Sequence, residues 1–417
     1  MRTNLLKTLP LASATALALA ASMPASAQAP ATPPPAPAPA PAAAPAAPAA
    51  PANKIQYSGL FDGYYAWDFN NPKSNVISIG GGTRFYDTRH DTPTLALGEL
   101  NVWEAANPGA FGFKATLGAG DIAEINAGGG VVGTHFVEAS STNEGQFKAL
   151  MQAYGTYGLP KGAGIDVGKF YTPIGYEVTE SNGNFNETHS VPFDIIPFYH
   201  FGVRAYTPSY NGLVLTGYVV QAVYNTATAG VENDSGNASF VGNAVWTDPK
   251  GKWTVGDSLG LGKNKFNLSA GDDPTKNKVT VNDTDLTYNF NANNIGGLNY
   301  TYAQTNPDNT SDSFKATDNA WAVYYKHVLT PKTDVAFRYS AGQFKDDEPG
   351  FTTQKPWEAT ATYEVHPSSN FLYRLEYQHF GDSSGSPSDE IFDDHSNAFT
   401  KSNQDTVELA GVFTFGS

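Results

Sequence analysis

The sequence predicts an all-β fold: a transmembrane antiparallel β-barrel of about sixteen strands, with short periplasmic turns and long extracellular loops. Three observations carry the prediction. Apolar and polar residues alternate with period two from Lys54 onward, short turn signals alternate with long connections, and no segment after the leader holds eighteen consecutive apolar residues. Only helices and closed barrels satisfy every backbone group in lipid, so a chain of this kind enters a membrane as a closed sheet.

The first segment sets the pattern. Ile55, Tyr57, Gly59, Phe61, Gly63, Tyr65, Trp67 and Phe69 share one parity, while Gln56, Ser58, Asp62 and Asp68 fall on the other. The last segment repeats it, with Val407, Leu409, Gly411, Phe413 and Phe415 set against Thr406, Glu408, Ala410 and Thr414. In a large barrel the apolar parity faces lipid and the polar parity faces a wet lumen. Between these ends, tight turns are signalled at Asn107–Gly109, Pro160–Gly162, Pro208–Gly212, Asp248–Gly251, Asn293–Gly296, Thr330–Lys332 and His366–Ser369. The other connections are long and rich in Asp, Asn, Ser and Gly: about 70–91, 122–146, 173–198, 226–237, 263–278, 306–318, 345–354 and 380–403.

Strands are therefore expected near 55–69, 94–104, 111–121, 147–158, 165–172, 199–207, 213–225 and 238–247. Eight more follow near 252–262, 279–291, 297–305, 319–328, 333–344, 355–365, 370–379 and 404–415. Lengths near ten residues suit a tilted strand crossing a bilayer. Trp67, Trp103, Trp246, Trp253, Trp321 and Trp357 gather toward strand ends, where amphipathic rings meet the membrane interface.

Composition agrees once the amino terminus is set aside. The 417 residues carry a net charge of -15, 41 glycines, 13% aromatics and no cysteine. The missing cysteine excludes a disulfide scaffold, a thiolate metal site and a cysteine nucleophile. The acidity argues against a nucleic-acid partner, which needs clustered Lys and Arg. Arg2 and Lys7 precede an Ala/Leu-rich stretch and an Ala25-Ser26-Ala27 cleavage pattern, so residues 1–27 read as a signal peptide. Residues 28–53 are almost only Pro and Ala and read as a periplasmic spacer, leaving 54–417 for the barrel. Without residues 1–27, 23 cations face 40 acids, a balance of about -17.

Two stretches carry a family resemblance. Gly168-Lys169-Phe170-Tyr171-Thr172-Pro173-Ile174-Gly175-Tyr176-Glu177 leads through Asn184 to Ser190 into Pro197-Phe198-Tyr199-His200-Phe201-Gly202-Val203-Arg204. This resembles the OmpL-like β-barrel porins. The terminal Gly411, Phe413 and Phe415 look like an assembly signal read by the barrel-insertion machinery, with Gly416 and Ser417 as a departure from its pattern. The resemblance implies an outer-membrane pore but no particular solute.

Function is then expected in whatever narrows the pore. The connection at 173–198 combines Glu177, Glu180, Glu187, His189 and Asp194 with the apolar run Val191 to Phe198. An exposed loop has little reason to carry that run, so the loop is expected to fold into the lumen as a constriction. Parity places His200, Arg204, Lys326, Arg338, Glu358, Glu364, Arg374, Glu376 and Glu408 on the lumen face. Arginines facing loop carboxylates would set a transverse field, and charged rings select ions. Lys169 shares the parity of Val167 and needs a local bulge to turn inward. Asp346-Asp347-Glu348, Asp389-Glu390 and Asp393-Asp394 read as solvated outer loops.

The expected function is an outer-membrane porin, a water-filled channel for passive diffusion of small hydrophilic solutes or ions. The alternative is a non-conducting barrel whose long loops serve adhesion or structure. With no G-x-S-x-G elbow and no His-Glu-x-x-His run read in the chain, an enzyme is not expected; His379 with Ser383 or Ser384 is the one weak nucleophile–base candidate. No cofactor or metal is expected. Expected partners are outer-membrane lipid or lipopolysaccharide, the insertion machinery, small solutes and, by analogy, two further copies in a homotrimer.

Overall fold

The structure is a computed structural model that describes residues 55–77, 84–127, 130–132, 135–137, 149–224, 238–266, 275–307, 315–347, 352–385 and 391–416. The expected signal peptide and spacer lie outside the described residues, as do Glu348, Asp389 and Glu390.

Sixteen antiparallel strands close one barrel. They are β1 (Gln56–Asp68), β2 (Thr94–Glu104), β3 (Phe111–Ala119), β4 (Leu150–Gly158), β5 (Gly164–Tyr171), β6 (Tyr199–Tyr206), β7 (Leu213–Val220) and β8 (Ser239–Thr247). They continue as β9 (Trp253–Phe266), β10 (Thr275–Asn291), β11 (Asn294–Pro307), β12 (Ala316–Thr330), β13 (Thr333–Asp346), β14 (Pro356–Ser368), β15 (Phe371–Asp382) and β16 (Asn403–Gly416). Closure is made by β1 on β16, with Phe61 opposite Phe413 and Tyr65 opposite Leu409. Both pairs belong to the apolar parity and face outward: Phe61 is 54% exposed, whereas Asp62 beside it is 1% exposed. One residue of slip would put every carboxylate into lipid, which fixes the register.

The wall is uneven. Strands β3–β8 have eight or nine residues and β9–β16 have twelve to seventeen. At the long-connection end of β9 and β10 the pairs Lys263 with Lys278 and Lys265 with Lys276 continue the ladder. Both parities are polar there, so periodicity ends before the hydrogen bonds do. The reverse occurs after β7. The apolar run to Tyr224 leaves the wall at Val220, Ala222 and Val223 are fully buried, and the Tyr224 hydroxyl donates to the Ile195 carbonyl at 2.5 Å. An unexpected short helix, Asp121–Asn126, buries Ile122, Ala123 and Ile125 within the second long connection.

Two glycines are needed where they stand. Gly212 ends a tight turn at φ +84, and a Cβ there would lie 1.9 Å from the Thr247 carbonyl. Gly168, in β5, has φ +141, and its Cβ would lie 2.2 Å from the Ala153 carbonyl. Gly168→Val is expected to cost about 2–3 kcal/mol through backbone strain and a pushed-apart β4–β5 pair. Gly155→Val, whose Cβ would meet a backbone oxygen only at 4.0 Å, is the neutral comparison. Urea unfolding followed by tryptophan fluorescence checks the difference.

Candidate pore constriction

The connection from β5 to β6 turns into the barrel at once. The Thr172 hydroxyl is 3.0 Å from His200 Nε2 and accepts the Ile174 N–H at 3.1 Å. Gly175 follows at φ +115, a value that suits glycine. The Tyr176 ring then stacks on Tyr324 of β12, centroids 4.6 Å apart and planes 29° apart, and Phe185 sits edge-on to both. Two 3-10 turns shape the remainder, Ser181–Gly183 and Val191–Ile195. The second buries Val191 and Ile195 against Ala320, Phe344, Phe380, Ile391 and Phe392. The apolar run is thus covered inside the barrel.

Two arginines of the wall hold the loop. Arg338 of β13 donates Nε to Glu358 at 2.8 Å and Nη1 to Glu177 of the loop at 3.0 Å. Its Nη2 reaches the Thr188 hydroxyl at 2.9 Å and the His189 carbonyl at 3.1 Å. Arg374 of β15 repeats the arrangement, with Glu364 at 2.6 Å and Glu187 at 3.0 Å. It also donates to the Ser181 and Asn184 carbonyls at 2.8 and 2.9 Å. Glu376 accepts the Glu187 and Thr188 backbone N–H groups at 2.6 and 3.0 Å, and Asp62 accepts the Ser181 hydroxyl at 2.5 Å. Both guanidiniums are at most 2% exposed, and each meets a wall carboxylate and a loop carboxylate. Pairing of this kind is what allows charges to be buried.

The five loop candidates therefore share one folded-in segment. Glu177 and Glu187 bind the arginines, and Glu180 approaches Glu99 and Lys114 on the opposite wall. His189 lies against Phe193 and Tyr86, centroids 4.1 and 5.2 Å away, and burial holds its imidazole below the ordinary histidine range. Burial pushes the Asp194 carboxyl well above the usual carboxylate range, with Glu177 and Asp87 adding to the shift.

Among the wall candidates, His200, Arg204, Lys326, Arg338, Glu358, Glu364, Arg374, Glu376 and Glu408 all take the inward parity. Arg204 is not set opposite a loop carboxylate. It donates to Asp166 on neighbouring β5 at 2.7 Å, between the Tyr154 and Phe170 rings at 4.9 and 4.8 Å. Lys169 is corrected: it pairs with Phe201, which is 55% exposed on the outer face, and its ammonium lies 4.0 Å from the Tyr199 ring centroid. No bulge turns it inward. Asp393 is also corrected, since it is fully buried rather than solvated. Asp394 instead accepts Ser396 and Thr400 hydroxyls at 2.6 and 2.7 Å, and Asp347 pairs with Lys345 at 2.8 Å. Gly411, Phe413 and Phe415 stand on the outward parity of β16, and Phe415 stacks on Phe61 at 5.9 Å.

A second inward connection escaped the sequence reading. Arg84, from the loop between β1 and β2, meets Asp87 at 2.5 Å and Gln378 of β15 at 2.8 Å, with Glu408 of β16 at 3.8 Å. Phe85 and Tyr86 pack on Phe193 and Phe198. The string Arg84-Phe85-Tyr86 carried the same signal as the later apolar run, in a shorter form.

Chemistry beyond pairing is sparse. Asp334, Glu364 and His366 bring ligand-type atoms within 4.8 Å of one another near the short turns, as a metal site would. The Lys326 ammonium already supplies the cation, 3.1 Å from Asp334 and 3.0 Å from Glu364. The reading that the chain lacks a G-x-S-x-G run is corrected: Gly256-Asp257-Ser258-Leu259-Gly260 has that spacing, but it lies within extended β9 rather than at a strand-to-helix turn, and Ser258 donates to the Pro173 carbonyl at 2.9 Å. His379 Nδ1 is 2.8 Å from Asp405, and Ser383 donates to the Lys355 carbonyl at 3.3 Å.

A closed sixteen-strand barrel with a connection held in its lumen defines a porin-type outer-membrane protein. The sequence model of the family described as "Putative beta-barrel porin-2, OmpL-like" matches residues 54–415, and the chain belongs to that family. No curated protein matches the sequence. Solved structures share the fold at low identity. The outer membrane channel DcaP of Acinetobacter baumannii superimposes with a TM-score of 0.59 at 12% identity, covering 87% of this chain and 97% of its own. The anion-selective porin of Comamonas acidovorans gives 0.54 at 11%, covering 87% and 99%. OmpT of Vibrio cholerae in a trimer form gives 0.54 at 10%, covering 87% and 100%.

Removing Arg338 would leave Glu177 and Glu358 buried without their cation. Arg338→Ala is expected to cost about 3–5 kcal/mol. Lys345→Ala breaks an exposed pair and is expected to cost less than about 1 kcal/mol. Urea midpoints of the two variants check the contrast.

Proposed function

We propose that the chain forms an outer-membrane channel for passive diffusion of small hydrophilic solutes or ions, narrowed by the β5–β6 loop. The observation that carries this reading is the loop itself, seated inside a sixteen-strand barrel and tied by Arg338 and Arg374. A barrel of sixteen strands encloses an aqueous lumen unless something fills it, so the segment that occupies the lumen sets what passes. A channel works by shape and charge, and no enzymatic step is assigned. The signal peptide and the periplasmic spacer belong to this reading, as does placement with the long connections outward. Assembly as a homotrimer accords with the trimer form of OmpT of Vibrio cholerae and is part of the proposal.

One observation favours the second reading, a non-conducting barrel that binds a partner through its loops. The inward residues Glu358, Arg374, Glu376 and Glu408 are at most 2% exposed, so both inward loops cover that side of the lumen. Planar-bilayer recording separates the two. Deleting part of 177–196 is expected to raise single-channel conductance several-fold over the intact chain, and equal conductance defeats the constriction. A chain that conducts nothing in bilayers and passes no sugar or amino acid in liposome swelling supports the second reading.

A further inference from the structure

We propose that the open side of the lumen holds a binding site for an uncharged pyranose sugar, with Trp103 as the platform on which the ring stacks. The site rests on the channel reading and gives that channel a class of solute.

Trp103 departs from the other five tryptophans. Trp253 and Trp321 are 39% and 42% exposed on the outer face, and Trp67, Trp246 and Trp357 share the parity of the outward residues Tyr65, Phe240 and Tyr363. On β2 the outward residues are Gly98, whose Cβ would lie 3.5 Å from the Phe61 ring, and Leu100, while Glu99 between them is buried. The β2–β3 pairing runs on from Gly98 to Glu104 without a shift, so Trp103 points the way Glu99 does, into the barrel. In register it stands between Gln56 of β1 and Lys114 of β3, beside the short turn that follows β2. The next inward pair along the ladder is Ser58 with Asn101. This part of the lumen stays open. Whereas the inward loops cover the lumen face of β14–β16, Gln56 is exposed and Ser58, Asn101, Trp103 and Lys114 are only half-buried.

The surroundings favour one class of occupant. An indole facing a water-filled lumen leaves apolar surface that a solute with an apolar face covers favourably. The C–H face of a pyranose is such a surface, and its hydroxyls then point sideways toward the neighbouring strands. Those neighbours are polar. Asn101 donates to Glu99 and accepts the Thr116 hydroxyl at 2.7 Å, and Gln152 donates to Thr116 at 3.3 Å while accepting the Tyr171 N–H at 3.1 Å. That ladder fixes the wall beside the ring. The side chains of Gln56, Ser58 and Trp103 make no hydrogen bond among the described residues, so their polar groups are available to a solute. An apolar platform with a few fixed polar groups is the usual make-up of a small-molecule site. Charge is settled within the site, because Lys114 faces Glu99 and, from the constriction loop, Glu180. The ammonium therefore needs no anionic solute, and a sugar acid would meet two carboxyl groups.

The test titrates the full chain, in a polyoxyethylene detergent, with glucose, and reads binding by saturation-transfer NMR. Glucuronate and the open-chain polyol sorbitol, which has no ring face, are titrated in parallel. The intact chain is expected to bind glucose saturably and in preference to both. Trp103→Ala is expected to weaken glucose about tenfold, the order of one lost ring contact, and Trp103→Tyr to keep it within about threefold. Trp253→Ala, on the outer face at the same end of the barrel, is expected to leave it unchanged. Equal affinity in the intact chain and Trp103→Ala overturns the proposal. So does sorbitol or glucuronate binding as tightly as glucose, or an intact chain that shows no saturable binding. Liposome swelling with glucose on the same samples reports separately on the channel: binding without swelling sinks the channel reading alone, and swelling without binding sinks the site alone.

Discussion

Two buried guanidiniums organise the interior. Arg338 and Arg374 each join a carboxylate of the wall to a carboxylate of the β5–β6 loop, and each also binds loop carbonyls. Planar, permanently charged and rich in donors, a guanidinium satisfies several acceptors in one plane, as an ammonium does not. The loop backbone therefore finds partners at membrane depth, where an irregular segment otherwise has none. Glu376 does the complementary work by accepting two loop N–H groups. Without these contacts only the packing of Val191 and Ile195 and the Tyr176–Tyr324 stack hold the segment in the lumen, and its buried polar groups lose their partners.

That interior depends on the alternation that builds the wall. Each strand offers its odd or even set to lipid and its other set to the lumen, so the same periodicity that places Phe61 outward places Asp62 at Ser181. The aromatic and glycine content that looks contradictory in a polar chain is the sum of two surfaces. The long-loop contributions are not uniform. Some acids cap turns near the rim, as Asp394 does, while Glu177 and Glu187 complete buried pairs.

The fold was largely legible because period two is a local property that survives without knowledge of partners. It failed where the physics is not periodic. Beyond Lys263 both faces are polar and the strand continues unseen, while the apolar stretch to Tyr224 belongs to a loop contact rather than to the wall. The inward loop was readable from Val191 to Phe198, since that run has no exposed use. Which arginine meets which carboxylate was not readable, because Arg338 and Glu177 lie 161 residues apart. Parity alone also gave Arg204 a lumenal role that Asp166, on the adjacent strand, takes up.

The uneven wall has a mechanical consequence for the membrane around it. An eight-residue strand tilted by about 45° climbs roughly 19 Å, short of the apolar band of about 25 Å that such barrels present. Beside β5, β6 and β7 the bilayer must compress, while beside β9–β16 it need not. Hydrophobic mismatch of this kind costs fractions of a kcal/mol per ångström. The molecule thus presents lipid with a thin side and a thick side, and covering the thin side with another low wall relieves the elastic strain. The lipid itself then supplies an orientation for lateral association, independent of any particular contact residue.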